Sequence, residues 1–148
     1  MNFTNTTVGL ASDHTGVELK ESIKTILTGR GLKFTDFGSC SAERCDYPDY
    51  AHPLARAIER DEIEMGIALC GTGNGMAITL NKYPHIRAGL AWNAEIARLV
   101  SAHNKANILI IPARFIKPED VFGILQAYLD TPFEGGQHQI RINEINNI

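Results

Sequence analysis

Cys70-Gly71-Thr72-Gly73-Asn74-Gly75 is the stretch of this 148-residue chain richest in chemistry. Three glycines in five residues, running into a helical pattern, make a loop of accessible backbone N–H groups. Such a loop binds a phosphate or a developing oxyanion. A tight strand-to-helix turn needs only one of those glycines. The spacing fits neither common nucleotide fingerprint: Lys82 lies too far along for G-x-x-x-x-G-K-[ST], and Met76 stands where G-x-G-x-x-G requires its last glycine. The loop also follows the third predicted strand, whereas the dinucleotide fingerprint opens the first βα turn. Cys70 ends that third strand. A free cysteine is most often a small buried hydrophobe. Beside a helix N-terminus and a nest of N–H groups it becomes a candidate thiolate, able to act as a nucleophile or as a proton-abstracting base.

Other polar residues fall at the ends of predicted strands. Asp13 and His14 follow the first, and His14 is either an ordinary hydrogen-bonded histidine or a site residue. Arg114 follows the last strand, where a guanidinium can reach a ligand phosphate. Trp92 and Tyr47-Pro48-Asp49-Tyr50 lie on the same edge and either line a sugar site or pack. His103 closes a helix, where a histidine reads as a C-terminal cation. That end lies at the opposite edge of the sheet from Cys70. His138 and Arg141 lie on a last helix that reads as a solvated face. Cys40 and Cys45 flank a loop and read as structural. An odd count of three cysteines argues against a disulfide framework. No C-x-x-C or zinc-type spacing occurs, so no metal is expected.

The elements that must position these residues alternate strand and helix. Strands are predicted over 8–11, 33–37, 65–70, 87–91 and 107–111. Helices are predicted over 16–28, 48–60, 74–81, 95–103, 118–129 and 137–146. Continuous apolar strands alternating with helices imply a three-layer α/β domain, a doubly wound, Rossmann-like parallel sheet of five strands. The expected order is 2-1-3-4-5, with the ligand cleft at the carboxyl ends of strands 1 and 3. That order gathers Asp13, His14, Cys70 and Thr72. The last helix follows Gly135-Gly136 and has no strand left to cross to, so it packs on its own domain or reaches a second subunit.

A composition 44% hydrophobic and 21% charged suits one globular domain over 1–148 and excludes a disordered chain. With 14 Lys and Arg against 17 Asp and Glu, no basic excess or stripe suggests nucleic acid as a partner. No apolar run is long enough to span a membrane. The first seven residues do not read as a secretory signal. The expected compartment is the cytoplasm.

Taken together, these residues resemble the type B ribose-5-phosphate isomerases and the galactose-6-phosphate isomerase subunits. The matching pieces are Ala11-Ser12-Asp13-His14, Asp46-Tyr47-Pro48, Cys70 to Met76, Asn81-Lys82, Ile86-Arg87-Ala88, His103-Asn104, Ala113-Arg114, and Glu134-Gly135-Gly136 with His138 and Arg141. The resemblance implies metal- and cofactor-free aldose–ketose isomerisation of a sugar phosphate through an enediol. It assigns Cys70 as the base and His103 as the acid/base that opens the cyclic sugar. It gives Gly71 to Gly75, with Thr72, as the hole for the enediolate oxygen. Asp13, His14, Tyr47 and Asn104 match sugar-binding positions, and Arg114 and Arg141 match phosphate ligands. Some relatives carry a glutamate base at the position of Met76, which cannot serve. Gln137 stands where many members carry an arginine, which bears on phosphate affinity and on the choice among pentose, allose or galactose phosphates. The resemblance also implies sites shared between subunits of a homodimer, which brings His103 to a partner's cleft; a dimer of dimers stays open. Two other readings compete with it. One is a flavodoxin-like phosphate- or nucleotide-binding module that needs no reactive thiol. The other is a thiol redox protein, in which Cys40 or Cys45 would resolve an oxidised Cys70.

Overall fold

The computed structural model describes residues 6–148. Its strands are β1 (Thr7–Ser12), β2 (Lys33–Asp36), β3 (Met65–Cys70), β4 (Ala88–Leu90) and β5 (Ile108–Pro112). Its helices are α1 (Val17–Gly29), α2 (Pro48–Glu59), α3 (Asn74–Leu80), α4 (Ala94–Ala102), α5 (Val121–Asp130) and α6 (Gln137–Glu144). The helix expected over 118–129 begins instead as a 3-10 turn, Pro118–Asp120, before α5. The chain start lies partly in residues 1–5, outside the described residues, and with it the reading that no secretory signal is present. Among the described residues no helix is long and apolar enough to cross a membrane.

All four strand pairings are parallel. Successive side chains of a strand face opposite sides, and the core divides accordingly. Val8, Leu10, Ile67, Leu69, Leu109 and Ile111 pack under α1, α4 and α5. Ala11, Ala68, Cys70, Ile108 and Ile110 face α2 and α3. Helical spacing supplies the matching stripes, Leu19, Ile23 and Leu27 in α1 and Ala51, Leu54, Ala55 and Ile58 in α2.

The strand order is 2-1-3-5-4, not the expected 2-1-3-4-5. β5 is buried at all five positions, as a central strand should be, whereas β4 has three residues, each only half-buried, and takes the edge. The reversal of winding direction between β1 and β3 is unaffected, so the cleft stays where the sequence puts it. The exchange has one local consequence. β5, not β4, runs beside β3, with Cys70 in register with Pro112, so the chain leaving β5 emerges next to the glycine loop.

Candidate functional site

The loop after β3 is built as a nest. Gly73 caps α3 in the left-handed region (φ +77°), and a Cβ there would sit 2.5 Å from Leu90 Cδ1, so only glycine fits both the turn and the packing. The first three N–H groups of α3 have no intrahelical acceptor. That of Asn74 is taken by Thr72 Oγ1 at 3.3 Å, which leaves those of Gly75 and Met76. Thr72 and Asn74 are exposed, while Met76 is fully buried among the α2–α3 side chains.

Two side chains roof this loop. The Tyr47 ring lies over Gly75, where a Cβ would stand 2.4 Å from Cζ. The Arg114 side chain lies over Gly71, its Cδ, Nε and Cζ 3.2–3.5 Å from where a Cβ would be, and Arg114 N–H donates to Gly71 O at 3.0 Å. With β4 in the place of β5, Arg114 would stand one further strand away, about 5 Å.

Cys70 is 4% exposed at the mouth of this arrangement. Asp13 comes level with it, because Asp13 N–H donates to Leu69 O at 3.2 Å across the β1–β3 boundary. Asp13 caps the 3-10 turn His14–Gly16, accepting from Thr15 N–H at 2.9 Å and from the Thr15 hydroxyl. His14 turns the other way: its Nδ1 accepts from Cys45 N–H at 3.3 Å and lies 4.0 Å from Cys45 Sγ. Cys45 thus belongs to the surroundings of the site, which its loop position in the sequence does not reveal. All three cysteines are free.

The floor of the cleft is braced from below. Lys20, fully buried on α1, donates to Asp36 Oδ1 at 2.8 Å and to Ser39 O, while Lys24 pairs with Asp36 Oδ2 at 2.7 Å. Burial pushes the Asp36 carboxyl up, but the two ammonium groups and the Gly38 N–H outweigh it and hold the carboxyl below its ordinary value. Phe37, Gly38 and Ser39 continue the β1 pairing to Ser12, so this half-buried carboxylate fixes the path of the chain toward Cys45 and Tyr47.

The remaining expected residues lie elsewhere in the same chain. His103 caps the end of α4, before β5 begins, whereas Cys70 is level with the last residue of β5. Four strand rises, about 13 Å, separate those two levels. Asn104 is exposed beside His103, its carbonyl accepting from Arg87 Nε. Gln137 and Arg141 are exposed on α6, with Gln137 Oε1 3.5 Å from Arg141 Nη2. No residue of α6 is buried.

Around His103 a second cluster forms. Its ring stacks on His138 (centroids 4.1 Å apart, planes 11° apart), and the Nε2 atoms of both lie 3.6 and 3.5 Å from Glu134 Oε2. Among the described residues this trio has donor atoms close enough together to hold a metal ion. Lone pairs of parallel rings lie in parallel planes, however, and do not converge on one ion, so the observed arrangement is not that of a coordination site. Sequence reading gives Glu134 no role; its i, i+4 spacing from His138 is the signal that points to it.

A doubly wound sheet with a thiol, a glycine nest and an overlying arginine at its switch point defines an α/β domain whose cleft offers unpaired N–H groups and a guanidinium, the chemistry that suits an anion. A family model described as Ribose/Galactose Isomerase matches residues 8–145. Ribose-5-phosphate isomerase B of Escherichia coli is 38% identical over 141 residues, 95% of either chain. The crystal structure of a ribose 5-phosphate isomerase from Thermotoga maritima superposes with a TM-score of 0.94 at 45% identity, covering 97% of this chain and 99% of the other. The ribose-5-phosphate isomerase B of Mycoplasma genitalium, solved with ribulose-5-phosphate bound, matches with a TM-score of 0.92 at 33% identity, covering 97% and 96%. The chain belongs to the ribose/galactose isomerase family, and it is an aldose–ketose isomerase of the sugar-phosphate class.

Proposed function

We propose that the protein interconverts ribose 5-phosphate and ribulose 5-phosphate through an enediolate. The observation that carries this reading is the Cys70 thiol beside a glycine nest roofed by Tyr47 and Arg114. In the open-chain aldose, the Cys70 thiolate takes the proton from C2. Charge then develops on O1, where the N–H groups of Gly71 to Gly75, with Thr72, stabilise it. The proton returns to C1, the hydroxyl proton of O2 passes to O1, and the ketose results. Arg114 and Arg141 hold the phosphate, and Asp13, His14, Tyr47 and Asn104 hold the sugar hydroxyls. His103 opens the furanose ring by proton transfer.

Cys70 and His103 serve one site only if two chains contribute to it. The strand-length separation of the two residues in one chain supports a homodimer whose clefts are completed by His103, Asn104, Gln137 and Arg141 of the partner. The absence of any buried residue on α6 supports the same arrangement.

The direct test is an assay of the purified protein on ribose 5-phosphate, allose 6-phosphate and galactose 6-phosphate. The reading expects ketose formation from ribose 5-phosphate. Turnover confined to a hexose phosphate would move the substrate within the same chemistry. Tight phosphate binding without turnover of any of them would favour the non-enzymatic module.

A further inference from the structure

We propose that Glu134 is a positioning residue for the ring-opening histidine, holding His103 in orientation and tautomer from the side facing away from the sugar. The proposal deepens the isomerase reading and rests on it. Three features of the chain converge on this placement. Glu134 N–H donates to Ala102 O at 2.9 Å, pinning residue 134 to the end of α4 beside His103. The chain then reverses through two left-handed residues, Gly135 (φ +72°) and Gly136 (φ +57°), which brings His138 back over the His103 ring. Finally, the Glu134 carboxylate faces the Nε2 of both rings at ion-pair distance.

The consequences are chemical. A carboxylate facing Nε2 places a proton on that nitrogen and leaves Nδ1 of His103 to meet the sugar oxygen. The role resembles that of the aspartate in a serine-hydrolase triad, although Glu134 is exposed and stands at ion-pair distance: it fixes the ring without itself transferring the proton. The His138 face restricts rotation of the His103 ring about its Cβ–Cγ bond. An acid that must meet a furanose oxygen at hydrogen-bond distance gains from both restraints. Neither restraint bears on the proton transfer at Cys70: the thiol of the same chain lies at the other edge of the sheet, and the thiol of a completed cleft acts on C1 and C2 and not on the ring oxygen.

That separation provides the test, because the two half-reactions can be read apart. Ribulose 5-phosphate has no hydroxyl free to close a furanose ring. Exchange of its C1 hydrogen with deuterated solvent therefore needs the Cys70 chemistry alone. Net isomerisation of ribose 5-phosphate needs ring opening as well. Glu134→Gln is expected to lower turnover of ribose 5-phosphate by about 10- to 100-fold, a part of the ~10²–10⁴-fold that a general acid contributes, because the histidine itself remains. C1 exchange in ribulose 5-phosphate is expected to stay within about twofold of wild type, so the exchange-to-turnover ratio rises by the same 10- to 100-fold. His138→Asn is expected to shift the ratio in the same direction. If Glu134→Gln lowers exchange and turnover alike, or lowers neither, Glu134 does not act through ring opening and the proposal is overturned. If the wild-type protein catalyses neither exchange nor isomerisation, the isomerase reading itself fails, an outcome separate from the first.

Discussion

At the scale of single residues, Cys70 and Gln137 carry the sharpest expectations. Cys70 belongs to the buried cluster that includes Ala68 and Met76 and has almost no exposed surface, so a serine, nearly isosteric, is expected to leave the fold intact while supplying a much weaker base. Cys70→Ser is expected to lower turnover by about 10²–10⁴-fold, with binding of a phosphorylated inhibitor retained by calorimetry. Most of the turnover surviving in a folded variant would make the thiol structural. Gln137 is exposed on the first turn of α6, one helical turn from Arg141. Gln137→Arg adds a charge at a position where, by the resemblance, many members carry an arginine. A well-placed charge-assisted contact contributes about 1.5–3 kcal/mol, so the dissociation constant for the inhibitor is expected to fall roughly tenfold or more. An unchanged constant would show that residue 137 does not reach the phosphate. Met76 illustrates the same scale from the other side: the position where some relatives carry a glutamate points into the core, not the cleft.

At the scale of elements, α1, β2 and the chain after it are tied by Lys20, Lys24 and Asp36. The Asp36 carboxyl is held below its ordinary value when folded, so its charged form favours the folded state. That contribution is fully present above the unfolded aspartate range, near pH 4, and is lost as the pH falls through the lower folded value. Urea midpoints are expected to drop more steeply for wild type than for Asp36→Asn between about pH 5 and about pH 3, although the variant is the less stable of the two at neutral pH because Lys20 loses a partner. Parallel slopes would remove Asp36 as a source of acid lability. None of this network is visible in the sequence, because tertiary burial and not local pattern decides the role of Lys20. The element sequence itself is legible, because period-2 and period-3.6 apolar spacing is a local property. The place of β4 in the sheet is not, since the same alternation of strands and helices is compatible with both orders. It is burial along the Ile108–Pro112 strand that puts β5 in the centre. Cys70, the nest and Asp13 were legible because the switch point depends only on β1 lying beside β3. Arg114 over Gly71, the Cys45 contact with His14 and the Glu134 carboxylate depend on side-chain directions that spacing does not encode.

At the scale of the whole molecule, the proposed site residues fall into two groups on opposite edges of the sheet of one chain. Cys70, the nest, Tyr47 and Arg114 stand at the carboxyl edge. His103, Glu134, His138 and the exposed face of α6 stand at the other. Exposed Ile140 on α6 is an apolar side chain without cover in the single chain. The proposed two-fold axis, laying α6 of one subunit over the cleft of the other, would join the two groups twice. It would also assemble the cations an anionic substrate needs from a chain whose net charge is −3. Complementation tests this arrangement. Cys70→Ser and His103→Ala are each expected to be nearly inactive as homodimers. In a mixed dimer with shared sites, one cleft carries both lesions and the other carries neither. An equal mixture that exchanges subunits freely forms mixed dimers as half of its population, each with one intact site of two, and so recovers about a quarter of wild-type activity by the symmetry of the interface. Native mass spectrometry of the mixture establishes the exchange. A fully exchanged mixture that stays inactive would place Cys70 and His103 in the cleft of the same chain, and the separation along β5 would then have to be closed by a rearrangement of α4.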